Sequence, residues 1–564
     1  MAWIGGIFSK VHTTRDELKE KLAVMMEAAC PPNGHSTPTY PPCISSIFDD
    51  ADGQALVQLS VPTEGMRSEH VYTDYREKPT VIYDGHLYDF KDTTSRLSRV
   101  QHRVNETAAD SLAHLLGDLP GNLEQKVRRA LISLDGDYAL AARGIDQILI
   151  ARDHLGTKPL YFAESEHLSA FASNKKPLWK IGLEEIKPLR AGTLAILDQE
   201  GVSVRRASPL RKRTVEISSM ARAVNTYEQA FRSAMTKRLG VMNHARKVGV
   251  LLSGGVDSCL IAKMLHDIAS SMGMEMIAYS VGLPESPDLD FAREFAGELS
   301  IKHRMKILSL DVVKEYIPKV IEAAEDSDFV QVETGIGLYA ALEMASHDGV
   351  TGVLSGQGPD ELWGGYSWYP KVLGRDGRQE LCRRMWDDFT RADIETLDRE
   401  NKIAMAHGIE LFFPFLDTEV IDVAMSVASE LKVTSEEDNL GKHPHRQLAI
   451  QMGISEKYAN REKLAIQHGT GIHGVLDNIA KRNGFDPSLV KDIGYRSEEI
   501  TTEKMGSSAR YGYRYIDKKL WQVPQHVQLF LHALAYRKGL LDISVRDRVG
   551  HFLEKAMLSG RRLA

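Results

Sequence analysis

Ser253-Gly254-Gly255-Val256-Asp257-Ser258 is the stretch on which the reading of this chain turns. Ahead of it, Val248, Val250, Leu251 and Leu252 make a β-branched, nearly uninterrupted apolar run, the pattern of a strand buried on both faces of a parallel sheet. Behind it, Leu260, Ile261, Met264, Leu265 and Ile268 recur at helical spacing. A strand, a Ser-Gly-Gly turn and a helix start make an anion site. The glycines let backbone approach a phosphate, and unbonded N–H groups at the positive end of the helix dipole face it. Ser253 and Ser258 add hydroxyl donors. Asp257 would repel a phosphate, so its role is read as a ligand for Mg²⁺, which bridges to phosphate oxygens. No Gly-Lys-Ser/Thr follows, which excludes the Walker loop. The competing reading is an ordinary strand-to-helix turn.

A second segment displaces that bland reading. Ser355-Gly356-Gln357-Gly358-Pro359-Asp360-Glu361-Leu362-Trp363-Gly364-Gly365-Tyr366 follows an apolar run ending in Val353 and Leu354. Asp360 and Glu361 supply further hard oxygen ligands, and Gly364-Gly365 lets the chain turn back over a ligand. Acidic groups facing two glycine-rich anion loops are what metal-bridged pyrophosphate release requires. The pair therefore reads as an enzyme that cleaves ATP between its α- and β-phosphates. A surface acidic loop would not explain Leu362, Trp363 and Tyr366 around the acids.

These two segments resemble the signatures of asparagine synthetase, the glutamine-dependent type with an N-terminal amidotransferase domain, with Gln357 where many members carry Glu. Further stretches follow in the family's order. Ala278-Tyr279-Ser280-Val281-Gly282 is similar to the strand whose backbone reads adenine, and Pro287-Asp288-Leu289 comes next. The stretch from Leu397 to Glu410 runs into Phe413-Pro414-Phe415-Leu416-Asp417, and Gly441-Lys442 with Arg446 and Arg461-Glu462-Lys463 are similar to the late basic motifs. The resemblance implies that Leu252 through Ser258, Val281, Ser355, Gly356 and Lys442 bind ATP, that Asp257 and Asp360 hold Mg²⁺, and that Lys463, Gln357 and Arg399 serve catalysis. The residue chemistry is consistent with this. Adenylation of a carboxylate needs cations near the pyrophosphate leaving group, for which Lys463 and Lys442 are candidates. Arg399 or Lys402 would hold a substrate carboxylate or phosphate. An amide such as Gln357 cannot be a general base, but it can orient an adenylate by hydrogen bonds. A lone Lys or Arg is otherwise a solvated surface charge.

The first two hundred residues resemble the same family's amidotransferase domain through Ile4-Gly5-Gly6-Ile7-Phe8, Leu134 to Leu140, Ile150 to Tyr161, Phe171-Ala172-Ser173 and Leu189 to Gly192. The chemistry departs from the pattern. That domain uses an N-terminal cysteine, freed by loss of the initiator methionine, as nucleophile. Here Ala2 follows Met1, and Trp3 stands where the family has Gly. The oxyanion-hole Asn-Gly appears as Asp84-Gly85, and a carboxylate repels a developing oxyanion. The glutamine-clamping arginine aligns with Gln58, and the aspartate that would receive the glutamine amine is hard to place near Asn105-Glu106-Thr107. Glutaminase activity is expected to be lost, leaving ammonia as the final nucleophile.

The expected architecture is α/β and α+β. Residues 1–204 form an Ntn-type four-layer αββα domain, 205–222 a basic linker, and 223–564 a doubly wound parallel-sheet ATP-pyrophosphatase-like domain of the adenine nucleotide α-hydrolase-like kind. A chain of 564 residues is long enough for two or three full cores. A net charge of −7 argues against nucleic acid as a partner. The basic run from Arg205 to Arg213 reads as the linker rather than a nucleic-acid patch. Four scattered cysteines show no metal spacing or disulfide framework, which fits a reducing interior. Cys259 reads as helix packing. His443 and His445, split by Pro444, read as a polar loop rather than a metal site. The absence of a signal-like start or a long apolar run leads to the expectation of a soluble cytoplasmic protein without membrane contact. Val527, Phe530, Leu531 and Leu534 predict an amphipathic helix stopped by Gly539. Besides ATP and Mg²⁺, the expected partners are aspartate or a similar carboxylate, ammonia, an external glutaminase and a second copy in a homodimer. Two other readings stand beside an ammonia-fed asparagine synthetase: an amide ligase for a different carboxylate, as in relatives that close β-lactam rings, and a degenerate non-catalytic scaffold.

Overall fold

Strand β1 (Ala2–Ser9) is apolar on both faces, and both are covered. Trp3 and Ile7 face one side, where they pack with Ala55, Val57 and Leu59 and with Leu18, Leu22 and Met25 of the helix Arg15–Ala29. Ile4 and Phe8, one residue out of phase, face a second sheet and meet Ala139, Ala141, Ile148 and Ile150. This is the two-residue period of a strand with a layer on each side. The remaining strands of this unit are β2 (Cys43–Asp49), β3 (Gln54–Ser60), β4 (Thr80–Leu87), β5 (Gly136–Arg143), β6 (Ile148–Arg152), β7 (Tyr161–Glu164), β8 (Leu168–Ala172), β9 (Lys187–Pro188), β10 (Thr193–Asp198) and β11 (Gly201–Arg206). They form two antiparallel sheets, in the orders β2-β3-β1-β8-β7-β9 and β11-β10-β6-β5-β4. On the outer face of the second sheet, Tyr138, Leu140, Leu149 and Leu194 pack against the helices Ala108–Asp118 and Leu123–Ser133. Helix, sheet, sheet, helix is the Ntn-type αββα arrangement.

The computed structural model describes residues 2–29, 43–49, 53–60, 79–88, 108–210, 216–242, 244–462, 472–497, 515–516, 519–520, 524–558 and 563. They group into two units, Met1–Arg211 with Val241–His244 and Ala392–Gly408, and Lys212–Gly240 with Ala245–Arg391 and Ile409–Ala564. The sequence reading drew its boundaries at 204 and 222, and it placed 392–408 in the second domain. Specific contacts explain the grouping of that segment with the first unit. Arg190 forks onto Asp393 at 2.7 and 2.9 Å, Asn401 Nδ2 donates to the Thr157 carbonyl at 2.8 Å, and Lys402 Nζ donates to the Tyr161 hydroxyl at 2.6 Å.

In the second unit, β12 (Lys247–Leu251), β13 (Glu275–Gly282), β14 (Lys302–Ile307), β15 (Gly352–Leu354) and β16 (Glu410–Phe412) are parallel, in the order β14-β13-β12-β15-β16. The order reverses between β12 and β15, which pair directly through Gly249 with Val353 and Val250 with Leu354. A doubly wound sheet binds ligands outside the carboxyl ends of the strands at such a reversal. The loops at Ser253 and Ser355 leave from those two neighbouring ends. Four later helices, Ile472–Arg482, Pro487–Ile493, Gln525–Lys538 and Ile543–Leu558, complete the unit. Gln525–Lys538 ends at Gly539 (φ 67°) as the sequence predicts, yet it is buried on most sides rather than amphipathic. Gln528 is one reason. Its side chain accepts the Phe329 N–H at 2.8 Å and donates to the Ser327 carbonyl at 2.7 Å, so a polar residue is satisfied in the interior. Among the described residues no helix is long and apolar enough to cross a membrane.

The Phe413-to-Asp417 stretch ties the sheet to the helix Met220–Val241. Phe415 stacks on Phe231 with ring centroids 4.6 Å apart. Asp417 caps the helix Thr418–Ser426 through the Glu419 N–H at 3.0 Å and pairs with the buried Arg238 at 2.7 Å. Burial pushes the Asp417 carboxyl up, but Arg238 and Lys237 outweigh it and hold it below the ordinary carboxylate range. The pair therefore contributes stability above the unfolded carboxyl pKa of about 3.9, and that contribution is lost as pH falls through the lower folded value. Arg238→Met should destabilise the protein by about 3–5 kcal/mol at neutral pH. Urea unfolding followed by tryptophan fluorescence should show that deficit shrinking in acid.

Candidate active site

The first loop is held by its own polar groups. Leu252 donates its N–H to the Tyr279 carbonyl at 2.9 Å, extending the sheet by one bond. The chain then turns at Gly254, where φ is +72° and a Cβ would lie 2.6 Å from Phe291 Cβ. The Ser258 hydroxyl donates to the Gly255 carbonyl at 3.0 Å and accepts the Ser253 N–H at 3.1 Å. Its single proton is used inside the loop, and the exposed Ser253 hydroxyl lies 3.2 Å from it and accepts the Gly255 N–H at 3.4 Å. The helix Val256–Met272 opens here with no side-chain cap, so its first N–H groups are directed at the loop mouth. Gly356 of the second loop lies against this turn, and a Cβ there would sit 3.5 Å from Asp257 Cβ and from the Ser258 nitrogen.

At this point two carboxylates and one ammonium converge. Lys442 Nζ lies 2.7 Å from Asp257 Oδ2, 2.9 Å from Asp257 Oδ1 and 2.7 Å from Asp360 Oδ1, and the lysine is 1% exposed. Burial alone would push the Lys442 pKa down, but Asp257 and Asp360 outweigh it and hold the ammonium above the ordinary lysine range. Its loop is braced from both ends. Asp438 accepts the Gly441 N–H at 2.9 Å and the Thr434 N–H at 2.9 Å. Burial pushes Asp438 up, but these N–H groups and His443 bring its carboxyl down to about 2. Arg446 donates to the carbonyls of Leu440, Gly441, Ala459 and Arg461 at 2.9, 2.9, 2.6 and 2.9 Å. One guanidinium thereby joins the two late basic motifs. Arg461 pairs with Asp288, donates to the Ser253 carbonyl at 3.3 Å and lies 4.0 Å over the Phe291 ring.

Asp257 and Asp360 suit Mg²⁺ by donor chemistry and convergence, since both present oxygens to one cationic point. Among the described residues no group of three or more His, Cys, Asp or Glu gathers as a metal cage. Two carboxylates that leave the remaining positions to phosphate and water are how Mg²⁺ is commonly held beside a nucleotide.

In the first unit, the positions expected to carry glutamine hydrolysis come together with other chemistry. The Ala2 N–H donates to Asp84 Oδ1 at 3.1 Å. On β3, opposite Ile4, the buried Gln58 accepts the Tyr83 N–H at 3.2 Å. Gly85 has φ +124°, and a Cβ there would overlap the Asp137 carbonyl. Trp3 is tied to Asn174 by an Nε1-to-Oδ1 bond of 2.7 Å and lies over Gly5. Arg399, on the helix Leu397–Ala406 of this unit, donates to the Glu395 carbonyl at 3.1 Å, and Lys402 pairs with Asp398 at 3.1 Å.

A sequence model of the asparagine synthase family matches residues 226–381 and 373–532, and one of the glutamine amidotransferase domain matches residues 63–180. The chain belongs to the asparagine synthase family, a family of ligases. It is similar to a putative glutamine-hydrolyzing asparagine synthetase of Methanocaldococcus jannaschii, 30% identical over 464 residues, which are 73% of this chain and 82% of that protein. A probable asparagine synthetase of Dictyostelium discoideum is 26% identical over 402 residues, 66% of this chain and 70% of that one. Asparagine synthetase B of Escherichia coli is 28% identical over 420 residues, 71% of this chain and 73% of that one.

Of the residues expected to bind nucleotide and metal, Ser253, Gly254, Gly255, Asp257, Ser355, Gly356, Asp360 and Lys442 are gathered at the sheet's reversal point. Leu252 and Val281 lie at the ends of β12 and β13, and Gln357 lies in the loop after β15. Lys463 and Asn105 to Thr107 lie outside the described residues. Cys259 is fully buried, and burial pushes its thiol far up, so it is a packing residue. His445, expected in a polar loop with His443, lies instead in the helix His443–Gln451. It is buried, with Nε2 3.0 Å from Asp257 Oδ1 and Nδ1 2.8 Å from the Tyr227 hydroxyl. Burial lowers its pKa, which Asp257 partly offsets. The available signal was Pro444, which marks a helix start and so places His445 one turn from Lys442 on the same face. Gly365 is equally specific, because a methyl there would overlap Lys442 Cε and Asp360 Oδ1. Gly365→Ala should cut pyrophosphate release about 100-fold while leaving the circular dichroism unchanged, as checked by a coupled pyrophosphate assay.

Proposed function

We propose that the protein is an ATP-dependent amide ligase that converts aspartate, ATP and ammonia to asparagine, AMP and pyrophosphate, and that it no longer hydrolyses glutamine. The observation that carries this reading is the convergence of Asp257, Asp360 and Lys442 between two glycine-rich loops at the sheet's reversal point. A carboxylate oxygen of aspartate attacks the α-phosphorus and the bond to the β-phosphate oxygen breaks, giving an acyl-adenylate and pyrophosphate. Ammonia then attacks the acyl carbon, AMP leaves with the electron pair of the broken C–O bond, and the nitrogen loses its extra proton. The Gly254–Gly255 turn and the helix N-terminus cradle the phosphates. Lys442 fixes positive charge beside the leaving pyrophosphate without reorganisation. Mg²⁺, held by Asp257 and Asp360, would neutralise phosphate charge that the lone ammonium cannot. Gln357 orients the adenylate, and Lys463 adds a second cation to the leaving group.

Loss of glutamine hydrolysis is supported by the methyl side chain of Ala2 and by the Asp84 carboxylate on the Ala2 N–H. Ammonia then comes from solution or from a separate glutaminase. Incubation with ATP, Mg²⁺ and aspartate should yield pyrophosphate and asparagine when ammonium is added and neither when glutamine replaces it. Asp257→Asn should abolish the release. Unchanged release would refute the Asp257 assignment, and turnover with a different carboxylic acid alone would reassign the acceptor.

A further inference from the structure

Asp257 is held from two directions, and only one has a part in the ligase reading. Beyond the ammonium of Lys442, Asp257 Oδ1 meets His445 Nε2 at 3.0 Å, and His445 Nδ1 meets the Tyr227 hydroxyl at 2.8 Å. His445 and Tyr227 are both fully buried. A carboxylate offers only acceptors, so Nε2 is assigned the proton and Nδ1 of the neutral ring accepts from the Tyr227 O–H; the Nε2 approach to Asp257 is a close polar contact whose angle falls short of a well-aligned hydrogen bond. With that assignment the polar contacts run one way, from Tyr227 through His445 to Asp257. Tyr227 is itself fixed, since its ring lies 4.5 Å from that of Trp363, at the end of the helix that carries Asp360. On one side the imidazole meets Phe415, with ring centroids 5.2 Å apart, so its polar atoms are turned to Asp257 and Tyr227.

We propose that Tyr227 and His445 are positioning residues that set the orientation of the Asp257 carboxylate, so that affinity for Mg²⁺-bound nucleotide depends on polar contacts reaching back to the helix Met220–Val241. Groups that orient a metal-ligating side chain change metal affinity by about 10- to 100-fold when removed. The inference rests on Asp257 being the carboxylate that meets metal-bound phosphates. It adds a specific consequence: loss of the relay weakens nucleotide binding through its Mg²⁺ dependence and leaves recognition of the acceptor carboxylate alone.

The test compares His445→Leu, His445→Gln, Tyr227→Phe and the Tyr227→Phe/His445→Leu double variant by calorimetric titration of ATP at a series of Mg²⁺ concentrations. Steady-state KM for ATP and for the acceptor is measured in parallel. His445→Leu should raise the half-saturating Mg²⁺ and the ATP Kd by about 10- to 100-fold with the acceptor KM unchanged. His445→Gln, which keeps an N–H for Asp257, should recover most of the loss. Tyr227→Phe, which keeps the ring on Trp363, should fall between, and the double variant should be no worse than His445→Leu. Should His445→Leu fail to fold, His445→Gln and Tyr227→Phe decide the matter. Wild-type Mg²⁺ dependence in folded variants, or a parallel rise of every constant including the acceptor KM, overturns the proposal. Wild-type protein that binds Mg²⁺-ATP but makes no amide defeats the ligase reading while the relay is still decided by the binding data. Wild-type protein that binds no nucleotide overturns both.

Discussion

The ammonium of Lys442 between the carboxylates of Asp257 and Asp360 is the contact on which the second unit's site depends. Removing a lysine from water is costly unless its charge is matched at close range, and here two carboxylates from two different loops match it. That requirement fixes the separation of the loops, and the parallel pairing of β12 with β15 supplies it. It also explains the surrounding glycines. Gly365 has no room for a methyl beside Lys442, and Gly441 (φ +56°) abuts the Gly364 carbonyl. Arg446 and Asp438 then bind the backbone around Lys442 through groups that make no claim on the two carboxylates.

The first unit shows the opposite economy. Its core comes from period-two strands between two sheets and from helices outside them, and none of that packing needs a nucleophile. The polar groups at the positions expected to carry glutamine hydrolysis bond to backbone instead. Asp84 takes the Ala2 N–H and Gln58 takes the Tyr83 N–H, an edge-strand donor that would otherwise be buried without a partner. An intact fold with Ala2 at the start of β1 is thus physically consistent.

Local pattern made much of this legible. The Val248-to-Leu252 run, the Ser-Gly-Gly turn and the helix spacing after it determine each other, and together they located the loop that the structure places at the sheet's reversal point. Acidic residues beside glycines single out Asp257 and Asp360, and the structure brings both carboxylates to Lys442. What could not be read was anything set by distant contacts. His445 looks like a loop histidine until Asp257 and Tyr227 are brought to its two nitrogens. Residues 392–408 look like part of the second domain until Arg190 and Tyr161 claim them. The serines of the first loop look equivalent until Ser258 turns its only proton onto Gly255. Helix Gln525–Lys538 looked amphipathic because Gln528 counts as polar, although its amide is consumed by the backbone of 327 and 329.

The central claim is that this arrangement breaks ATP between the α- and β-phosphates by attack of a carboxylate oxygen. The most direct measurement uses aspartate labelled with ¹⁸O in its side-chain carboxylate, with ³¹P NMR of the phosphorus products after turnover with ammonium. One ¹⁸O atom in the phosphate of AMP, with unlabelled pyrophosphate, is the predicted result. ADP together with labelled inorganic phosphate would contradict the account.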